Sequence, residues 1–257
     1  MKVYEYGADH QKNLLMFQCA VEPSTALLSA AEAMGKDFHV FFAAAEGHDP
    51  TEKTDFISVE KYAHDAAEYL KGKGIRELDA LYGVSMGGGA AIRFLLAENI
   101  PVRKAVIDAG ITPYPYPKPI CRLIHGKDCL MVRLATRSRK IMEMAYPPER
   151  WTPRGEDSKK HYDWLMQFYK GFTGTTIRNV MWSADNYSLP DPIPEIGTEI
   201  EYWYGEEEQK ARKGNIRFVK NLWPQVKMRE FPGYAHAELV LIYPERFREE
   251  LSRFLNE

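Results

Sequence analysis

The sequence predicts an α/β protein, a mostly parallel sheet with helices on both faces, and three observations predict it. Seven short apolar runs alternate with helix-like segments. One of these runs, Leu78–Tyr82, leads straight into Gly83-Val84-Ser85-Met86-Gly87 and then into a small-residue helical run. A proline-bracketed helical stretch, residues 112–189, interrupts the alternation once, and the strand pattern then resumes.

In chain order, the first strands are Val3–Tyr6 and Asn13–Phe17. Ser24–Met34 is rich in Ala and Leu and closes on Gly35, which predicts a helix with a glycine after its last turn. Phe38–Ala43 is the third strand. Ser58 is placed to cap the next helix, where Val59, Tyr62, Ala63, Ala66, Tyr69 and Leu70 recur at helical spacing before Gly72 and Gly74. Leu78–Tyr82 is a buried strand, Gly88–Leu96 a helix with a thin first turn, and Lys104–Ile107 the fifth strand.

Thr112-Pro113-Tyr114-Pro115-Tyr116-Pro117-Lys118-Pro119 can neither continue a helix nor lie in a central strand, so it predicts a stiff extended connector. Helical patterns follow at Arg133–Met144, Tyr162–Tyr169 and Thr176–Trp182, and Leu189–Pro194 forms a second proline-rich link. Residues 112–189 thus read as a helical cap over a core made of residues 1–111 and 190–257. Glu199–Tyr204 and Val226–Glu230 are the last strands, and one helix from Glu238 to Leu255 is expected to end the chain.

The 257 residues are 45% hydrophobic, enough for a large core, and carry a net charge of -2, which gives no nucleic-acid surface. The amino terminus has no apolar signal-like run and no stretch approaches the roughly 20 apolar residues of a membrane helix, so a cytoplasmic protein without a membrane partner is expected. No strongly amphipathic interfacial segment is evident. Cys19, Cys121 and Cys129 match neither a disulfide framework nor a zinc site and are expected as reduced thiols. The sequence offers no sign of oligomeric state.

The pentapeptide at Ser85 carries the chemistry. Three fixed positions of this kind arise by chance in about one chain in ten of this length, but a strand before and a helix after make Ser85 a nucleophile held exposed at a strand-to-helix turn. Serine needs a base. His236, in the loop after the last strand, is the best placed of seven histidines; His48, after the third strand, is its rival. A carboxylate to orient the imidazole follows the sixth strand in Glu206, Glu207 or Glu208, with Asp108 as a second candidate, and the chain order Ser, acid, His is then satisfied.

The elbow Tyr82-Gly83-Val84-Ser85-Met86-Gly87-Gly88, the segment Trp203-Tyr204-Gly205-Glu206-Glu207-Glu208 and the loop Gly233-Tyr234-Ala235-His236 resemble, in order and spacing, the α/β-hydrolase superfamily. The resemblance spans nearly the whole chain outside the cap. It implies an α/β-hydrolase fold and a triad of Ser85, Glu208 and His236. One departure is the missing His-Gly pair, whose place falls in Leu14–Ala20. Backbone amides serve whatever the side chain, so the oxyanion is expected at the N–H groups of Met86 and of Cys19 or Ala20. Cys19 itself reads as a packing thiol.

The expected activity is hydrolysis of a small or medium, apolar or aromatic carboxylic ester, with Tyr114, Tyr116, Trp151, Trp164, Phe168, Phe172, Trp182 and Tyr187 of the cap suggesting an apolar or aromatic-lined pocket and with no metal or cofactor. The same triad also serves thioesterases, lactonases, amidases and carbon–carbon bond hydrolases. A receptor that kept the pocket without useful turnover is the alternative from another class.

Overall fold

In the computed structural model, which describes residues 1–257, the seven expected strands form one sheet. They are β1 (Lys2–Tyr6), β2 (Asn13–Phe17), β3 (His39–Ala44), β4 (Leu78–Val84), β5 (Val102–Asp108), β6 (Glu199–Gly205) and β7 (Lys227–Phe231). Their spatial order is β1-β3-β2-β4-β5-β6-β7. Only β1 runs antiparallel, against β3; all other neighbours are parallel.

Alternate side chains of the central strands feed two separate cores, because successive residues of a strand point to opposite faces. Leu14 and Met16 join Phe42 and Tyr82 beneath α1 (Leu28–Met34) and α11 (Pro244–Asn256). Leu15 and Phe17 join Phe41 and Leu81 beneath α2 (Val59–Gly72), α3 (Met86–Ala97) and α9 (Gln209–Leu222). Ser58 caps α2 as expected, its side chain accepting from the Lys61 N–H at 3.2 Å.

Two helices of the core differ from the sequence reading. The expected terminal helix is two, α10 (Glu238–Ile242) and α11, because Pro244 has no N–H to continue the ladder and instead starts the second. The Ala/Leu-rich segment opens as a 3-10 turn, Ser24–Leu27, before α1.

Between β5 and β6 lie five helices: α4 (Lys118–Arg137), α5 (Arg139–Ala145), α6 (Pro148–Trp151), α7 (Ser158–Gly171) and α8 (Gly174–Ser183). The pattern expected as one helix over Arg133–Met144 breaks at Ser138, whose hydroxyl caps α5 by accepting from the Ile141 N–H. Cys129, Met142, Tyr162, Leu165, Tyr169, Phe172 and Ile177 make a small core of the insertion's own. Its last helix nevertheless belongs partly to the main body: Val180 sits in the principal core and the Ser183 hydroxyl accepts from the Val59 N–H at 2.7 Å. α4 turns Leu123, Leu130, Met131 and Leu134 to solvent among exposed Arg122, Lys127 and Arg137. Cys121, Cys129 and Thr136 line its inner face.

Parallel strands bring their carboxyl ends to one edge, the usual place for a site in such a sheet. Ser85 follows β4, Asp108 ends β5, Glu206–Glu208 form a 3-10 turn after β6, and His236 lies in the loop after β7.

Candidate active site

Ser85 has φ 57° and ψ -117°, a backbone state that costs on the order of 1–3 kcal/mol and persists only when neighbours enforce it. They do so here. The Ser85 N–H donates to the Asp108 carbonyl at 2.8 Å, and the Ser85 carbonyl accepts from Gly88 and Ile111, each at 3.0 Å. A Cβ on Gly83 would stand 2.2 Å from the Gly87 carbonyl oxygen, and one on Gly87 would stand 2.4 Å from that of Gln18. Both glycines are therefore demanded by space. The same closeness presses the loop after β2 against the elbow, at the amino end of α3, where helix N–H groups favour negative charge.

The Ser85 hydroxyl lies 2.9 Å from His236 Nε2, and His236 Nδ1 lies 2.6 Å from Glu208 Oε2. With a carboxylate facing Nδ1, the neutral ring carries its proton there and leaves Nε2 to accept from the serine. Glu208 Oε1 accepts from the Gly205 N–H at 3.1 Å, and Arg212 Nε stands 3.3 Å from Oε2. Burial pushes the Glu208 carboxyl up, but the hydrogen bond and charge of His236, the Gly205 amide and Arg212 outweigh it and leave it below the usual carboxylate value.

The neighbouring acids point elsewhere. Glu206 accepts from the Gly233 N–H at 2.9 Å, and Glu207 pairs with Arg150 at 2.9 Å. Gly205 permits the approach of the two loops, since a Cβ there would stand 2.2 Å from the Tyr234 carbonyl oxygen. Asp108 is near but separate: its carboxylate accepts from the Tyr82 hydroxyl at 2.6 Å, and burial raises it to about 6. Arg150, from α6, donates to both oxygens of Glu238, to Glu207 and to the Gly233 carbonyl, tying the insertion to the histidine loop. Sequence reasoning missed Arg150 and Arg212, because nothing in their local context separates them from solvated cations.

Where the His-Gly pair is missing, Gln18 does the holding. Its side chain accepts from the Ala45 N–H at 3.1 Å and donates to the Glu22 carbonyl at 3.1 Å, while its own N–H donates to the Tyr62 hydroxyl. The amides of Met86, Cys19 and Ala20 donate to no group of the chain and are free to hold an oxyanion. Burial raises the Cys19 thiol well above its ordinary value, so it is not a competing nucleophile.

The rival base, His48, is a strut. It is fully buried; its Nδ1 contacts the Glu46 carbonyl at 2.9 Å, and its Nε2 accepts from the Val21 N–H at 3.3 Å, where Val21 has φ 66°. Burial lowers its pKa to about 4. The unfolded state, with a histidine near 6.5, therefore takes up the proton first as the pH falls, and stability is lost between about pH 6.5 and pH 4. We expect wild type to lose on the order of 3 kcal/mol across this window relative to His48→Gln. Urea unfolding of both proteins from pH 7 to pH 4 checks this, and a constant difference between them refutes it.

No family model and no curated protein matches the sequence. Solved structures do match the fold. The chain is similar to a protein of Desulfitobacterium hafniense assigned to the alpha/beta hydrolase family, with TM-score 0.75 and 17% identity over 99% of this chain and 100% of that one. It is similar to a thermophilic esterase from Thermogutta terrifontis, with TM-score 0.71 and 14% identity over 99% and 92%. It is also similar to 1H-3-hydroxy-4-oxoquinoline 2,4-dioxygenase, with TM-score 0.66 and 20% identity over 98% and 95%. The chain has the α/β-hydrolase fold, which does not by itself fix its chemistry.

Proposed function

We propose that the chain is a serine hydrolase that cleaves a small or medium carboxylic ester through an acyl-enzyme on Ser85. The observation that carries this reading is the continuous relay from the Ser85 hydroxyl to His236 Nε2 at 2.9 Å and from His236 Nδ1 to Glu208 at 2.6 Å. Similarity to an esterase of the same fold is consistent with it.

In the proposed reaction the Ser85 oxygen attacks the ester carbonyl as its proton passes to His236 Nε2, and Glu208 stabilises the imidazolium. The Met86 amide, with that of Cys19 or Ala20, holds the negative carbonyl oxygen. His236 then gives its proton to the departing alkoxide, and the alcohol leaves. Water, deprotonated by the same imidazole, releases the acid and restores Ser85. Residues 112–189 act as a cap on the core of residues 1–111 and 190–257, tied to it through α8. Thioester, lactone and carbon–carbon substrates fit the same relay and are separated from esters by assay.

The test is exposure to a fluorophosphonate followed by intact mass and peptide mapping. One adduct, on Ser85, lost in His236→Ala, is the expected result. An unlabelled, folded protein would remove the nucleophile and favour the ligand-receptor reading, in which the pocket binds without turnover.

A further inference from the structure

A cavity of about 410 Å³ opens between the insertion and the segment following the β2 loop. Tyr146, Trp151, Tyr162 and Trp164 wall it from the insertion, Leu241 from α10, and Glu22 from the loop side. Glu22 is three residues past Cys19, and the Gln18 side chain that shapes the oxyanion loop also holds the Glu22 carbonyl. The Gln18 carbonyl also packs against Gly87 of the elbow, which puts the loop that carries Glu22 beside the proposed oxyanion site.

Glu22 is the anomaly among the acids here. Glu208 has His236 and Arg212, Glu207 and Glu238 share Arg150, Glu156 meets His161 at 3.0 Å, and Asp157 caps α7 by accepting from the Lys160 N–H. The half-buried Glu22 carboxyl has no such partner, and desolvation, unopposed by any cation of the chain, raises it to about 8. The same cavity holds the carboxyls of Glu22, Glu156 and Asp157 against one lysine, Lys160, and one histidine, His161. An unpaired carboxyl is costly to bury, and aromatic faces attract cations most strongly where water is excluded. A positive ligand group supplies what the cavity lacks.

We infer that this cavity takes the cationic end of the substrate, so that the natural ester carries an ammonium group held by Glu22 and the rings around it. This rests on the serine-hydrolase reading, with the ester carbonyl at Ser85. The bound ammonium group stabilises the carboxylate form of Glu22, whose proton passes to solvent, while the apolar wall at Leu241 and the tryptophans accepts its alkyl surface.

An isosteric pair of esters tests it. Butyrylcholine and 3,3-dimethylbutyl butyrate differ in charge and scarcely in shape. Wild type is expected to favour the choline ester in kcat/KM by about tenfold or more, and Glu22→Gln to bring the ratio close to one. Equal rates for the two esters in wild type, or a ratio unchanged in Glu22→Gln, would overturn the inference. A binding measurement separates this from failure of the hydrolase reading: choline should raise the Tm of wild type and Ser85→Ala but not of Glu22→Gln. Choline binding without hydrolysis of either ester would keep the cation site and remove the hydrolase, whereas no shift in any of the three proteins would remove the site.

Discussion

Replacing Ser85 with alanine is expected to lower ester turnover by at least about 10⁴-fold and to abolish fluorophosphonate labelling while the protein stays folded. The size follows from the chemistry. The hydroxyl is the only group within hydrogen-bond reach of His236 Nε2, at 2.9 Å, that can form the acyl bond. Without it, the amides of Met86, Cys19 and Ala20 can still polarise a carbonyl, but nothing on the protein attacks it. Cys19 offers no substitute, because burial holds its thiol protonated. Ser85 is 5% exposed and its backbone bonds to Asp108, Gly88 and Ile111 do not involve the side chain, so the elbow should survive the change. Steady-state kinetics with a p-nitrophenyl ester, beside a thermal melt, provide the check. Retained activity in a folded variant would place the nucleophile elsewhere.

The sheet was legible because each buried strand is a short apolar run closed by turn residues, and a run buried on both faces needs no context to be seen. The elbow was legible for a steric reason: Gly83 and Gly87 each face a backbone carbonyl oxygen closer than 2.5 Å to where a Cβ would stand, so no other residue fits. The choice of Glu208 over Glu206 and Glu207 came only from the family resemblance, not from the residues themselves. Their directions are set by a 3-10 turn, in which successive side chains diverge by about 120°. His236 was preferred to His48 by its place in the loop after the last strand, but the burial that makes His48 a strut is a property of the whole fold. Gln18 was passed over for a related reason, since a polar side chain that replaces the His-Gly pair by bonding two backbone segments leaves no local pattern. The isolation of Glu22 depends on what is absent around it, which no window of sequence displays.

Glu208→Gln is expected to lower kcat/KM by about 10³-fold to 10⁴-fold, against changes within about threefold for Glu206→Gln and Glu207→Gln. Glutamine keeps the volume and can still meet the Gly205 N–H, so folding should be preserved. It cannot stabilise the imidazolium, and its amide can turn an N–H toward Nδ1, which would move the ring proton to Nε2 and block acceptance from Ser85. Glu206 and Glu207 hold the histidine loop and the insertion from exposed positions, and the loop retains the Arg150 contacts to Glu238 and Gly233 when either is neutralised. Asp108 supplies the decisive comparison. Its carboxylate bonds to Tyr82 and reaches His236 only through charge, and burial that raises it to about 6 weakens even that influence under mildly acidic conditions. Asp108→Asn should therefore leave the rate within the range of the two exposed glutamates. Three small, equal losses at the glutamates with a large one at Asp108 would reverse the assignment, because the imidazolium would then draw its stabilisation from the end of β5 rather than from the turn after β6.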